Sequence, residues 1–149
     1  KNNKNIYNIS KINLNKRKMK EIKSTLIDHA IKIARNGDHK KRVGCIIFDK
    51  KKILSHGYNT CQKSIRRLHP QFQRWVGSVH AEVDAIIKAR CDLKGTSILV
   101  IRINRKEELR LAKPCQHCMK YIEYVGIKKV YYSTSSYPYV DCITVNKTN

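Results

Sequence analysis

The sequence predicts a single-domain α/β fold in which a mixed central sheet of about five strands is layered by helices. Three observations predict it. Apolar periodicity changes along the chain in the order helix, hairpin, helix, strand, helix, strand, strand. Residues 96–103 are almost continuously apolar, as a strand covered on both faces must be. A chain of 149 residues with 41% hydrophobic content can fill one core and not two, and no internal repeat is visible.

Residues 1–15 are polar and rich in Asn and Lys, and they read as a flexible basic arm; residues 16–149 form the domain. The arm leads into the basic knot Lys16-Arg17-Lys18 and Lys20. Met19, Ile22, Leu26, Ala30 and Ile33 then recur at helical spacing, and Asn36-Gly37 supplies a stop. Residues 42–49, with Val43, Ile46, Ile47 and Phe48, and residues 53–58 read as a hairpin turning at Asp49-Lys50-Lys51-Lys52. The polar stretch 59–78 is long for a connection inside a compact domain, and such loops tend to carry function. A helix over 79–90, the central strand 96–103, a basic loop over 104–113 and a helix over 115–125 follow. Strands over 128–133 and 139–145 flank the turn Ser135-Ser136-Tyr137-Pro138. That turn is too short for a crossover helix, so the last two strands are antiparallel.

Charge narrows the partners. Lys and Arg number 32 against 11 Asp and Glu, a formal net charge of +21. A surface this basic attracts polyanions strongly and in a salt-dependent way, so DNA or RNA is the expected partner. A membrane surface is the other polyanion, but there is no lipidation signal and no basic amphipathic helix with an aromatic face. No secretory signal and no run of membrane-spanning length are seen, so no membrane partner is expected. Three of the six cysteines, Cys45, Cys91 and Cys142, read as small buried hydrophobes. Cys61 lies in a polar loop with His56 and His69 not far off, which leaves a second metal site open.

The chemistry is concentrated in two short motifs, His80-Ala81-Glu82 and Pro114-Cys115-Gln116-His117-Cys118. Zinc favours four tetrahedral ligands; structural sites fill all four with protein and catalytic sites leave one open. His80, Cys115 and Cys118 make three, and no second ligand pair accompanies them, so the expected cofactor is one catalytic zinc ion. Pro114 suits a helix start. A helix N-terminus carries partial positive charge that favours thiolate over thiol at the cysteines. Glu82, two residues after His80, points to another side of its helix and is free for proton transfer. Taken singly, a His at a helix start is commonly a cap or a core residue, and a C-x-x-C is commonly a redox pair or half a zinc knuckle. The order H-x-E then P-C-x-x-C, with a strand between, is the signature of zinc nucleobase deaminases. Thiolate ligands suit a reducing interior, so a cytoplasmic location is expected.

At these residues the chain resembles the cytidine deaminase-like superfamily, which includes deoxycytidylate deaminases, tRNA adenosine deaminases and polynucleotide cytosine deaminases. The resemblance runs from about Arg42 to Tyr132. It is carried by the segments 78–86 and 113–118, the strand after them at 126–132, and Gly57-Tyr58-Asn59. It implies a three-layer α/β/α sandwich. It also implies that Asn59 contacts the nucleotide sugar and that the backbone amide of Ala81 holds the pyrimidine carbonyl. Asp84 departs from the pattern, since free-nucleotide members often have Asn there. Only a short tail follows the last family-like strand, so the helix that many polynucleotide members place there is not expected.

The stretch 59–78 carries Lys63, Arg66, Arg67 and Arg74 interleaved with His69, Phe72 and Trp75. Cations and flat rings are what single-stranded nucleic acid uses, phosphate attraction and base stacking. Arg66, Arg67, Arg74 and Trp75 are therefore candidate substrate contacts, with core packing the competing reading for Trp75 and plain solvation for the arginines. A second loop near the mouth holds Arg105, Lys106, Arg110 and Lys113. Tyr131 and Tyr132 alternate across a strand, so at most one faces the pocket, and His117 reads as exposed or backbone-bonded rather than as a ligand.

The expected activity is hydrolytic conversion of cytosine to uracil in DNA or RNA, on a single-stranded or flipped base. The alternatives are a free-nucleotide deoxycytidylate or cytidine deaminase and a tRNA adenosine deaminase. A non-enzymatic alternative is a zinc-stabilised nucleic-acid-binding module, which would have no use for Glu82. Nothing in the sequence sets an oligomeric state.

Overall fold

The computed structural model describes residues 22, 24–37, 41–59 and 80–145. The arm, the basic knot, Cys61 and the candidate contacts Arg66, Arg67, Arg74 and Trp75 lie outside the described residues. Within them, helix α1 (Ser24–Ala34) precedes strands β1 (Arg42–Asp49) and β2 (Lys52–Tyr58). Helix α2 (Ala81–Ala89), β3 (Ser97–Ile103), β4 (Leu109–Arg110), α3 (Gln116–Tyr124), β5 (Lys129–Ser133) and β6 (Val140–Thr144) follow.

The sheet has the order β2-β1-β3-β5-β6, with β4 also paired to β3. As its continuous apolar character predicts, β3 is central. It runs antiparallel to β1 and parallel to β5. The last pair, β5 and β6, is antiparallel as the short turn requires. The sheet has six strands rather than about five. The extra one is β4, two residues inside the segment read as a basic loop. Its pattern of one buried and one half-exposed residue is too short to show a period, and only the register with Arg102 and Ile103 reveals it.

Alternation on the strands feeds two cores. Ile46, Phe48, Leu99, Ile101, Ile103 and Tyr131 pack against α1 through Leu26, Ile27, Ala30 and Ile33. Cys45, Ile47, Ile98, Val100, Val130 and Tyr132 face α2 and α3 on the other side. The three layers are therefore α1, sheet, and α2 with α3. Two glycines set how closely the layers approach. A Cβ on Gly44 would lie 2.4 Å from Ala30 O, and one on Gly57 would lie 2.5 Å from Ala85 N. The backbone of α1 rests directly on β1, and that of α2 directly on β2, on opposite faces.

Two smaller expectations need correction. Cys91 is exposed, and Cys142 is partly exposed; only Cys45 is fully buried. Cys91 lies just beyond the left-handed C-cap residue Arg90, where the chain has left the helix that would have covered it.

Candidate functional site

His80 and Cys115 are placed by the same local device. Each is the N-cap residue of its helix, with extended backbone angles (φ −69°, ψ 154° and φ −65°, ψ 164°). An N-cap residue projects its side chain across the helix start, where backbone N–H groups lack intrahelical acceptors. Cys115 uses that position, its Sγ accepting the Cys118 N–H at 3.4 Å. The imidazole of His80 makes no cap bond. Cys118, one turn into α3, is fully buried in the core cluster that also holds Ala81 and Val100.

The three candidate ligands converge. Their donor atoms all lie within 4.8 Å of one another. His80 Nδ1 is 3.3 Å from Cys118 Sγ and 3.8 Å from Cys115 Sγ. A tetrahedral zinc ion with its usual bond lengths sets nitrogen and sulfur about 3.6 Å apart, between the two observed values. The geometry and the donor set fit zinc. The protons fit as well. Cys115 is pulled down to about 5, chiefly by a hydrogen bond from the Cys118 thiol, while that pairing and burial push Cys118 up. A bound cation would take the place of the thiol proton between them.

Glu82 is 6% exposed and stands outside the ligand set. Burial raises its carboxyl above the usual range. Ala81, 1% exposed, is the first residue of α2. Its amide therefore lacks an intrahelical acceptor. Asn59 follows β2 directly. Its Oδ1 accepts the Val43 N–H at 2.9 Å, and its Nδ2 donates to Lys41 O at 2.6 Å. These bonds fix the amide at the sheet edge and leave one N–H and one lone pair uncommitted by them. Tyr132, not Tyr131, is on the site face, and His117 is half-buried and outside the metal-binding group.

Sequence reasoning gave no role to Asp84, and the structure supplies one. Asp84 is 3% exposed; its Oδ2 accepts the Tyr58 N–H at 3.1 Å and pairs with Lys88 Nζ at 3.2 Å. It fastens α2 to the end of β2, and so holds His80 and Glu82 against the strand that ends at Tyr58, just before Asn59. Two elements far apart in sequence make that contact, and nothing in the local sequence pattern announces it.

A three-layer sandwich with a His-Cys-Cys cluster at two helix starts, three ligands among the described residues, defines the class of zinc-dependent deaminases of nucleobase type. The family model described as the cytidine and deoxycytidylate deaminase zinc-binding region matches residues 20–134, and the chain belongs to that family. Among solved structures, cytidine deaminase from Burkholderia pseudomallei is similar over 80% of this chain and 90% of its own, with 19% identity and a TM-score of 0.55. The dCMP deaminase of cyanophage S-TIM5 matches over 76% of this chain and 86% of its own, at 23% identity and a TM-score of 0.50. A bifunctional diaminohydroxyphosphoribosylaminopyrimidine deaminase/reductase from Thermotoga maritima matches over 76% of this chain and 29% of its own, at 24% identity and a TM-score of 0.50. At these identities the likeness is one of fold. No curated protein matches the chain. Among the described residues, no helix is long and apolar enough to cross a membrane.

Proposed function

We propose that this chain is a hydrolytic deaminase that converts cytosine to uracil within a polynucleotide. The observation behind the chemistry is the meeting of His80, Cys115 and Cys118 beside a buried, unligated Glu82. When bound, zinc supplies Lewis-acid activation of the hydrolytic water. The Ala81 N–H donates to the pyrimidine O2 and orients the ring. Glu82 takes a proton from the water as its oxygen bonds to C4, gives that proton to N3 of the base, then takes the proton of the new C4 hydroxyl and delivers it to the departing amine. The bond to the exocyclic nitrogen breaks, a carbonyl replaces it, and ammonia leaves.

The polynucleotide reading is supported by charge. The net charge is +21, residues 1–20 hold seven cations and no acid, and residues 60–79 hold Lys63, Arg66, Arg67 and Arg74 and again no acid. One small phosphate does not call for so much positive charge, whereas a phosphate backbone does. We assign Arg66, Arg67, Arg74 and Trp75 to that backbone and its bases, and a reducing cytoplasmic setting to the thiolate site. A second reading, deamination of free dCMP or cytidine, is favoured by the family's description and by the names of two of its structural neighbours.

Mass spectrometry separates them. Zinc-loaded protein is expected to convert cytosine to uracil in a single-stranded oligonucleotide, more slowly as salt rises, and to leave free dCMP and cytidine unchanged. Rapid turnover of dCMP with an inert oligonucleotide would replace the first reading by the second.

A further inference from the structure

Four residues line up across the sheet on the face that carries the metal centre. Asn59 donates its backbone N–H to Val43 O at 3.3 Å and accepts the Val43 N–H on its side chain. Val43 is the register partner of Arg102, and Arg102 that of Arg110. Directly opposed residues in antiparallel strands project from one face, with strands about 4.8 Å apart. The neighbouring row on that face is Gly57, Cys45 and Val100. Cys45 and Val100 pack in the cluster that holds Ala81 and Cys118. The intervening residues Ile101, Ile103 and Leu109 pack on the α1 side. Arg102 and Arg110 thus stand one row beyond the floor of the metal centre, across Val43 from Asn59.

This arginine pair is oddly provided for. Two like charges directly opposed across strands repel. Arg110 has Glu108 at 3.2 Å. Arg102 has no acidic partner among the described residues. Its Nε is buried without a hydrogen-bond acceptor, and its guanidinium otherwise reaches only the Leu111 carbonyl, at 3.5 Å. The backbone beneath is firmly held. Ser133 Oγ accepts the Arg102 N–H at 3.0 Å and donates to Arg110 O at 2.7 Å, while Ser133 O accepts the Ala112 N–H at 2.9 Å. Cys115 follows three residues later. A buried guanidinium N–H without an acceptor is costly, and an anion bridging the terminal Nη groups of the two arginines would cancel their repulsion and give Arg102 the charged partner it lacks among the described residues.

Resting on the deaminase reading above, we propose that Arg102 and Arg110 bind the phosphate ester attached to the target cytosine nucleoside, with Asn59 on the sugar at the other end of the row. Two strand spacings, about 10 Å, separate Asn59 from Arg102. A sugar, its phosphate and an extended arginine side chain span that distance. The ester can arrive as the monoester of a mononucleotide or the diester of a polynucleotide.

Equilibrium binding to the zinc-loaded protein tests this. Deoxycytidine and dCMP are compared directly, and an oligothymidylate containing one cytosine is compared with the same strand carrying an uncharged methylphosphonate beside that cytosine. Wild type is expected to prefer dCMP over deoxycytidine, or the unmodified strand over the methylphosphonate strand, by roughly tenfold or more. In Arg102→Met and Arg110→Met that preference drops to about threefold or less, and in Lys51→Met, on the exposed β1–β2 turn, it persists. Loss seen with dCMP assigns the monoester, and loss seen only with the strand assigns the diester. Thermal melting accompanies each variant. Arg110, with a side chain 39% exposed, carries the test should Arg102→Met not fold. Wild type without a phosphate preference, or arginine variants that keep it in full, overturn the proposal and leave the deaminase reading standing. Wild type that neither binds nor deaminates any cytosine ligand overturns that reading, and this one with it.

Discussion

Glu82 sits where burial and chemistry pull the same way. A carboxyl at 6% exposure is held back from ionising chiefly by burial, the direction a proton-transferring carboxyl needs. The account predicts that Glu82→Ala lowers deamination by about 10²- to 10⁴-fold while the protein keeps its zinc. Activity assays paired with metal analysis check it, and near-wild-type turnover in a zinc-loaded variant would remove Glu82 from the mechanism. The candidate site residues legible in the sequence are those whose placement depends on neighbours a few positions away. Cys115 and Cys118 are fixed by one helical turn, and His80 and Glu82 by two steps at a helix start. Asp84 and Arg102 could not be read this way. The first bonds the backbone of Tyr58, and the second stands in register with Val43 and Arg110. Both relations exist only once the sheet is assembled.

At the scale of elements, the site depends on how closely α2 lies on β2. Gly57 permits that approach, with Ala81 O 2.7 Å and Ala85 N 2.5 Å from where a Cβ would be. Backbone atoms cannot swing aside, so Gly57→Ala must lift the helix. The expected cost is about 1–3 kcal/mol of stability, with zinc held less tightly because His80 moves with α2. Gly44→Ala, on the α1 face, should cost a similar amount without the effect on zinc. Denaturant titration and chelator competition measure the two, and a Gly57→Ala protein as stable as wild type would contradict this packing. Most elements were legible because their periods are long enough to show. The predicted strand over 42–49 coincides with β1, and the helix over 115–125 differs from α3 only by its two caps. The strand β4 was hidden because two residues have no period. The exposure of Cys91 was hidden because a residue type fixes a tendency to be buried and not a position.

For the whole molecule, the sheet order brings together what the chain keeps apart. His80 precedes β3 and Cys115 follows it, yet the pairing of β3 with both β1 and β5 sets α2 and α3 side by side. A metal at their joint starts would cross-link two helices separated by the central strand, so binding free energy becomes folding free energy. Purified, folded protein should contain one zinc per chain by elemental analysis. Stripping the metal with a chelator should lower the melting temperature, and Cys118→Ala should abolish stoichiometric binding. Folded wild-type protein that holds no zinc after loading, or a Cys118→Ala variant that still holds one equivalent, would contradict the central claim that His80, Cys115 and Cys118 form the metal centre.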